Sequence, residues 1–180
     1  GLESASRFLR KVWRGVHEHV ANPDVGPLDI DALGAEGREL RRKLHETIGR
    51  ADDDYGRRLQ FNTVVAAVME LVNTLAKTPD EGANRAVVRD AWRTALIVLS
   101  PISPHICHAL WQVLGESGLV VDAQWPAVDE SALVRDRIEL VCQVNGKVRA
   151  RIEVAADADE EAAKAAAMSD ANVQKFMDGK

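Results

Sequence analysis

The spacing of apolar residues changes once along this 180-residue chain, and the change restricts what the chain can fold into. From Phe8 onward, apolar side chains recur every three or four residues, the period of amphipathic helices. From Ile138 they alternate every second residue, the period of a half-buried strand. The pattern predicts a mainly α fold, with an antiparallel five-helix bundle over 1–118, a linker over 119–136 and a small α+β domain over 137–180.

The helices of the bundle are separated by segments rich in proline, glycine and asparagine, which break helices. The third helix is apolar around most of its surface, so we expect it in the middle of the bundle. Trp13, Trp92 and Trp111 occur at helical spacing among apolar residues, and they are predicted to lie in the core. The expected helices cover about 4–20, 59–76, 84–99 and 104–114, with the second helix starting between Asp31 and Glu36 and ending at about Tyr55. Two shorter helices are expected at about 159–168 and 170–177.

The second region begins with a β-hairpin, because Asn145-Gly146 between two alternating apolar runs is a strong hairpin signal. A two-residue loop would mix apolar and basic side chains on one face. A three-residue loop of Val144, Asn145 and Gly146 would place Cys142 opposite Val148 and make one face wholly apolar. Burial of each large apolar side chain contributes roughly 1.5–3 kcal/mol, so the three-residue loop is predicted.

This register would align Lys147, Arg149 and Arg151 along the solvent face of the hairpin, about 7 Å apart. That interval is close to the spacing of successive phosphates on one nucleic-acid strand. A merely solvated basic face is the alternative. A second basic set lies mostly off the apolar stripe of the first helix and comprises Arg7, Arg10, Lys11 and Arg14.

Composition excludes several classes of function. The net charge of −5 argues against nucleic-acid binding by overall charge and leaves only local basic patches. No apolar run approaches the roughly 20 residues that span a bilayer, so no membrane association is expected. Cys107 and Cys142 lie on different predicted elements, which favours reduced thiols in the cytoplasm. We find no catalytic triad, phosphate-binding glycine loop or complete metal-ligand set, and we predict no catalytic, cofactor or metal site.

Four segments occur in order along the chain: SRFLRKVW at 6–13, LQFNT at 59–63 with MELVN at 69–73, LSPISPH at 99–105 and QVNGKVRA at 143–150. Together they resemble leucyl-tRNA synthetase, a class I aminoacyl-tRNA synthetase, and the resemblance extends over nearly the whole chain. One of them, Leu99–His105 (LSPISPH), has a pattern that is shared with the isoleucine, valine and methionine enzymes. The most discriminating segment is Gln143–Ala150 (QVNGKVRA), which resembles the leucine enzyme's small C-terminal domain.

The resemblance implies a specific role. The family joins leucine to its tRNA using ATP and Mg²⁺, in a catalytic domain with H-I-G-H and K-M-S-K-S motifs that are absent from this sequence. We therefore expect a non-catalytic, tRNA-positioning fragment: a class Ia anticodon-binding bundle and most of the small domain, without the family's last strand. The expected partners are leucine tRNA, at its anticodon stem and outer corner, and the enzyme's own catalytic domain.

Two alternatives remain. The chain could be a helical protein-interaction module with solvated basic residues, or the equivalent part of a valyl-, isoleucyl- or methionyl-tRNA synthetase. By position, Lys147, Arg149 and Arg151 fall on the hairpin that carries the family motif, so the resemblance implies that they contact tRNA.

Overall fold

The computed structural model describes residues 2–135 and 137–177, which form two compact units divided in the chain between Leu133 and Val134. Five long helices build the first unit, as the sequence predicts. They are α1 (Leu2–Val20), α2 (Ala35–Asp53), α3 (Phe61–Leu75), α4 (Asn84–Leu99) and α5 (Pro104–Val113). None of the described helices is long and apolar enough to cross a bilayer.

Helix α4, rather than α3 as the sequence suggested, is the central helix of the bundle. It contacts α1, α2, α3 and α5, and two of its three alanines, Ala91 and Ala95, are completely buried. These small side chains let the neighbouring helices approach closely. On α1, Gly15 serves the same purpose, because a Cβ there would lie 2.2 Å from Cζ2 of Trp92.

The prediction for the tryptophans is correct for Trp92 and Trp111, which are buried, and wrong for Trp13, which remains 44% exposed. The stripe of α1 that enters the core is centred on Val12 and Val16. Trp13 lies about 100° around the helix from Val12, so its indole falls at the edge of that stripe. A large apolar residue next to a buried position is not necessarily buried itself.

Residues 119–133, most of the predicted linker, instead belong to the first unit. Val120 enters the bundle core, and the indole Nε1 of Trp125 donates a hydrogen bond to Asp52. Arg41 forms an ion pair with Asp129 at 2.5 Å, and the backbone N–H of Asp129 donates to His45 Nδ1 at 3.0 Å. Single apolar residues and polar contacts anchor this segment, so helical periodicity could not reveal it.

The contact between Asp129 and His45 requires an imidazole whose Nδ1 carries no proton. Burial, and then the charge of Arg41, lower the pKa of His45 below its ordinary value of 6.5, and Asp129 partly opposes this. The unfolded chain therefore takes up a proton near pH 6.5 more readily than the folded chain does. Below that pH, His45 should lower the stability of the first unit as the pH falls.

We therefore expect His45→Asn to make the stability of the first unit less dependent on pH between 7.5 and 5.5. The asparagine oxygen can accept the Asp129 N–H without titrating, so stability at pH 7.5 should change little. The effect is on the order of 0.5 kcal/mol, because His45 is half-buried and partly screened by solvent. Urea unfolding followed by tryptophan fluorescence at several pH values measures it, and parallel pH profiles for both proteins would contradict the assignment.

The second unit contains an antiparallel hairpin, β1 (Arg137–Val144) and β2 (Lys147–Ala155), followed by α6 (Glu160–Ser169) and α7 (Ala171–Met177). Asp159 caps α6, because its side chain accepts a hydrogen bond from the N–H of Ala162 at 2.8 Å. Both helices contact the hairpin, and Val154 and Val173 are buried between these elements.

The loop of this hairpin has two residues, so the predicted three-residue loop is wrong. Asn145 and Gly146 both have positive φ (54° and 73°), and Val144 pairs directly with Lys147. The register then shifts between Cys142 and Gln143 through a β-bulge, after which Cys142 pairs with Ala150. The bulge restores an apolar face of the hairpin although the loop has only two residues. The sequence prediction considered a two-residue and a three-residue loop, each without a bulge further along the strands.

Candidate nucleic-acid interface

The bulge changes the position of Arg149, which is the residue in β2 that the register shift leaves without a direct partner. Its guanidinium carbon lies 3.8 Å from the ring centroid of Phe176 in α7, and its Nε is buried without a hydrogen-bond partner. Arg149 is therefore held by a cation–π contact within the second unit. The predicted continuous row of three basic side chains on the solvent face is wrong.

Lys147 and Arg151 are both exposed, and they remain available to an anion in different degrees. Arg151 donates to Glu139 at 2.8 Å. This contact is diagonal, because the direct cross-strand partners of Glu139 and Arg151 are Glu153 and Val141. Between them, Val148 is 55% exposed rather than part of the predicted apolar face. The hairpin thus presents one lysine near the turn and one arginine that an anion must share with a carboxylate.

The outer face of α1 presents a stronger positive surface. Arg7, Arg10 and Arg14 are exposed, and within the described part of the chain none of them has an ion-pair or side-chain hydrogen-bond partner. At a rise of about 1.5 Å per residue, these guanidinium groups are distributed along roughly 10 Å of the helix. This uncompensated stripe can bind neighbouring phosphates without first breaking an ion pair.

Lys11 lies on the same helix but is less available to bind a phosphate. Its Nζ donates to Asn73 Oδ1 at 2.7 Å, which links α1 to α3. Lys11 and Arg14 line one side of a groove of about 660 Å³, whose walls also include the acidic residues Glu18 and Asp80. The groove is therefore mixed in charge, and Arg7 and Arg10 do not line it.

A further basic run, at positions 41–43, is neutralised by its neighbours. Arg42 binds Glu39 and Glu46, and the hydrogen bond to Glu39 contributes most to raising the pKa of Arg42. Lys43 lies 3.2 Å from Glu46 and 3.3 Å from Glu70. This run stabilises the bundle and does not present free charge.

The described residues offer little for covalent or metal chemistry. Among residues 2–135 and 137–177, no group of three or more histidine, cysteine or acidic side chains could hold a metal ion. Cys107 is buried, and desolvation raises the pKa of its thiol to about 12, so it is not an activated nucleophile. The arrangement can bind and orient an anion, and these groups supply no catalytic step.

The structure also reveals an exposed aromatic pair that the sequence analysis missed. The rings of Trp13 and His17 stack with centroids 4.8 Å apart, and Trp13 lies one helical turn after Arg10. The spacing of 10, 13 and 17 places the three side chains next to one another on α1. The signal was present in the sequence, because Trp13 lies beside rather than on the stripe of Val12 and Val16.

Comparisons with known proteins agree with this architecture. The family model described as "Anticodon-binding domain of tRNA ligase" matches residues 37–164. A leucine–tRNA ligase of Alkalilimnicola ehrlichii is 53% identical over 99% of the chain, and one of Marinobacter nauticus is 52% identical over all of it. Each comparison covers 21% of the relative, so the chain spans about a fifth of the length of these ligases.

A solved structure shares the fold. It is the ternary complex of an Agrobacterium radiobacter K84 LeuRS with tRNA and LeuAMS, and it matches 96% of this chain and 22% of that protein. The TM-score is 0.73 at 25% sequence identity. These comparisons confirm the resemblance inferred from the four sequence segments. The chain belongs to the family of anticodon-binding domains of tRNA ligases.

Proposed function

We propose that the chain is the tRNA-binding part of a leucyl-tRNA synthetase, which attaches leucine to its tRNA using ATP. The proposal rests above all on the identity of about half of its residues to leucine–tRNA ligases over essentially the whole chain. The fold likeness to a LeuRS in a complex with tRNA supports it further. The relatives named above are leucine enzymes, which favours leucine over valine, isoleucine or methionine.

In this role the chain supplies binding energy and orientation, and the chemistry takes place in the enzyme's own catalytic domain. ATP and Mg²⁺ would be bound by that domain. The bundle would contact the anticodon-stem side of leucine tRNA, and the small unit its outer corner. We assign this function to the cytoplasm, where the free thiols Cys107 and Cys142 would stay reduced.

The contacts we propose are mainly to phosphates. On the bundle they involve Arg7, Arg10 and Arg14, which form no ion pair with any residue that the structure describes, with Lys11 as a secondary contact because it is bound to Asn73. On the hairpin they involve Lys147 and Arg151. Arg149 would act indirectly, because its stack on Phe176 holds β2 against α7. Phosphate contacts fix register and orientation and read little sequence.

The proposal predicts that the chain binds leucine tRNA more tightly than an unrelated hairpin RNA of the same length. We expect a dissociation constant at least about tenfold lower at about 0.1 M salt, with affinity falling steeply as salt increases. A filter-binding titration of both RNAs over a range of salt concentrations measures this.

Equal affinity for both RNAs, or no saturable binding, would argue against the proposal and favour a helical protein-interaction module. A reaction mixture of the chain with leucine, ATP, Mg²⁺ and tRNA provides the second control. It should form no leucyl-tRNA, because the chain contributes binding only.

A further inference from the structure

An exposed tryptophan lies beside the arginine stripe of α1, the helix whose other face enters the core. Trp13 is 44% exposed, and its indole is held by the stack on His17 rather than by burial. His17 is itself fixed, because its Nδ1 lies 2.9 Å from the backbone oxygen of Trp13. The indole face is therefore presented in a preferred orientation at little further cost in side-chain entropy.

Trp13 also forms one wall of a shallow, mostly apolar groove of about 430 Å³ at the surface of the bundle. Leu9 of α1 and Ile106 of α5 contribute apolar lining, and Arg10 also lines the groove. An aromatic ring, apolar side chains and a guanidinium in one groove match the chemistry of a nucleotide. Its base has a flat π face and its phosphate carries negative charge.

We infer that this groove binds one unpaired nucleotide of the tRNA, with its base stacked on Trp13 and its phosphate bound by Arg10. The inference rests on the proposed function and adds a base-stacking site to the phosphate contacts. A paired base within a stem has no free face, so the ligand must be a nucleotide in a loop, in a bulge or at an end.

Charge favours RNA over a protein segment as the occupant of this groove. A purely apolar protein partner would offer no negative charge to Arg10 or to its neighbours Arg7 and Arg14. All three have no acidic partner among the described residues, and a polyanion satisfies them together. A protein occupant is the competing outcome of the test.

The test compares three substitutions of one residue in tRNA binding by the whole chain. Trp13→Ala and Trp13→Leu should each weaken binding about tenfold, because both remove the aromatic face. The tRNA affinity of Trp13→Phe should stay within about twofold of that of the original chain, because phenylalanine keeps an aromatic face. The slope of affinity against salt should not change in any of the three, because no phosphate contact is removed.

Phe61→Ala is the matched control, since Phe61 is also an exposed aromatic residue but the basic residues that precede it, Arg57 and Arg58, are both paired with Asp53. Its removal should leave tRNA affinity unchanged, and a loss equal to that of Trp13→Ala would overturn a specific site. Full affinity in Trp13→Leu would mean apolar packing and would also overturn the inference. Unchanged tRNA binding by Trp13→Ala would overturn the base-stacking site and leave the proposed function intact. Absence of tRNA binding by the unsubstituted chain would overturn both the site and the proposed function.

A spectroscopic measurement separates stacking from an indirect structural effect. Of the four tryptophans, Trp92 and Trp111 are buried, so in a Trp125→Phe background acrylamide quenches mainly Trp13. Saturating leucine tRNA should at least halve the quenching constant of that variant. Quenching that is unaffected by bound tRNA would show that no base covers the indole.

Discussion

Replacement of Arg85 by alanine should destabilise the first unit by about 3 kcal/mol and lower its melting temperature by roughly 6–12 °C. Arg85 is 7% exposed, and its guanidinium connects three parts of the bundle. It donates to the backbone oxygens of His19 and Asn22 at the end of α1 and of Asp24 in the following loop. It also pairs with the Asp80 carboxylate at 3.1 Å, between α3 and α4.

The large effect follows from what would remain after the substitution. The last carbonyls of α1 have no partner within their own helix, and Arg85 supplies one. Without it, these oxygens and the Asp80 carboxylate would lose part of their hydrogen bonding, and the loss is greatest at the oxygen of His19, which is buried. Asp80 would retain its contact with the buried His19 at 2.7 Å, which limits the loss.

Arg89→Ala provides the matched control, because Arg89 lies one turn further along α4. Its side chain is 39% exposed and reaches Glu116 at 3.4 Å, so its removal should cost less than about 1 kcal/mol. The loss of stability in Arg85→Lys should lie between those of Arg85→Ala and Arg89→Ala, since lysine keeps the charge but lacks the planar set of donors. All four tryptophans lie in the first unit, so urea unfolding followed by their fluorescence reports on it. Equal midpoints for Arg85→Ala and Arg89→Ala would contradict the assignment.

The sequence predicted helix positions well where a local signal marks the end. Helix α4 covers Asn84–Leu99 as predicted, because Pro101 and Pro104 follow directly and limit its extension. Helix α2 was predicted to reach Tyr55, and instead it ends at Asp53 and continues as a π-helical turn, Asp54–Arg58. Leu59 then adopts a left-handed conformation at φ 50°, which no propensity rule assigns to leucine.

The basic surface shows the same division between local and tertiary information. Arg7, Arg10 and Arg14 lie off the apolar stripe of α1 in the sequence, which correctly predicted that they are exposed. In a helix, the position of a residue in the sequence determines the direction in which its side chain points. The hairpin prediction depended on register, and one extra residue in a bulge turned Arg149 toward Phe176. Helix α7, which carries Phe176, lies more than 20 residues further along the chain, so local pattern could not show this contact.

The second large effect concerns the basic stripe of α1 itself. The triple substitution of Arg7, Arg10 and Arg14 by alanine should weaken binding of leucine tRNA on the order of 100-fold at about 0.1 M salt. Each phosphate contact contributes roughly 0.7–0.9 to the slope of log affinity against log salt, so the slope should fall by about 2 to 3. The fold should be unaffected, because all three side chains are exposed and unpaired within the described chain.

The double substitution of Lys147 and Arg151 by alanine should have a smaller effect, because Arg151 must first separate from Glu139 before it binds a phosphate. We expect a loss of about tenfold and a decrease in slope of about 1. Filter binding of both variants over a range of salt concentrations gives affinity and slope together. A slope that is unchanged in the α1 variant and reduced in the hairpin variant would reverse the assignment and make the second unit the main phosphate contact.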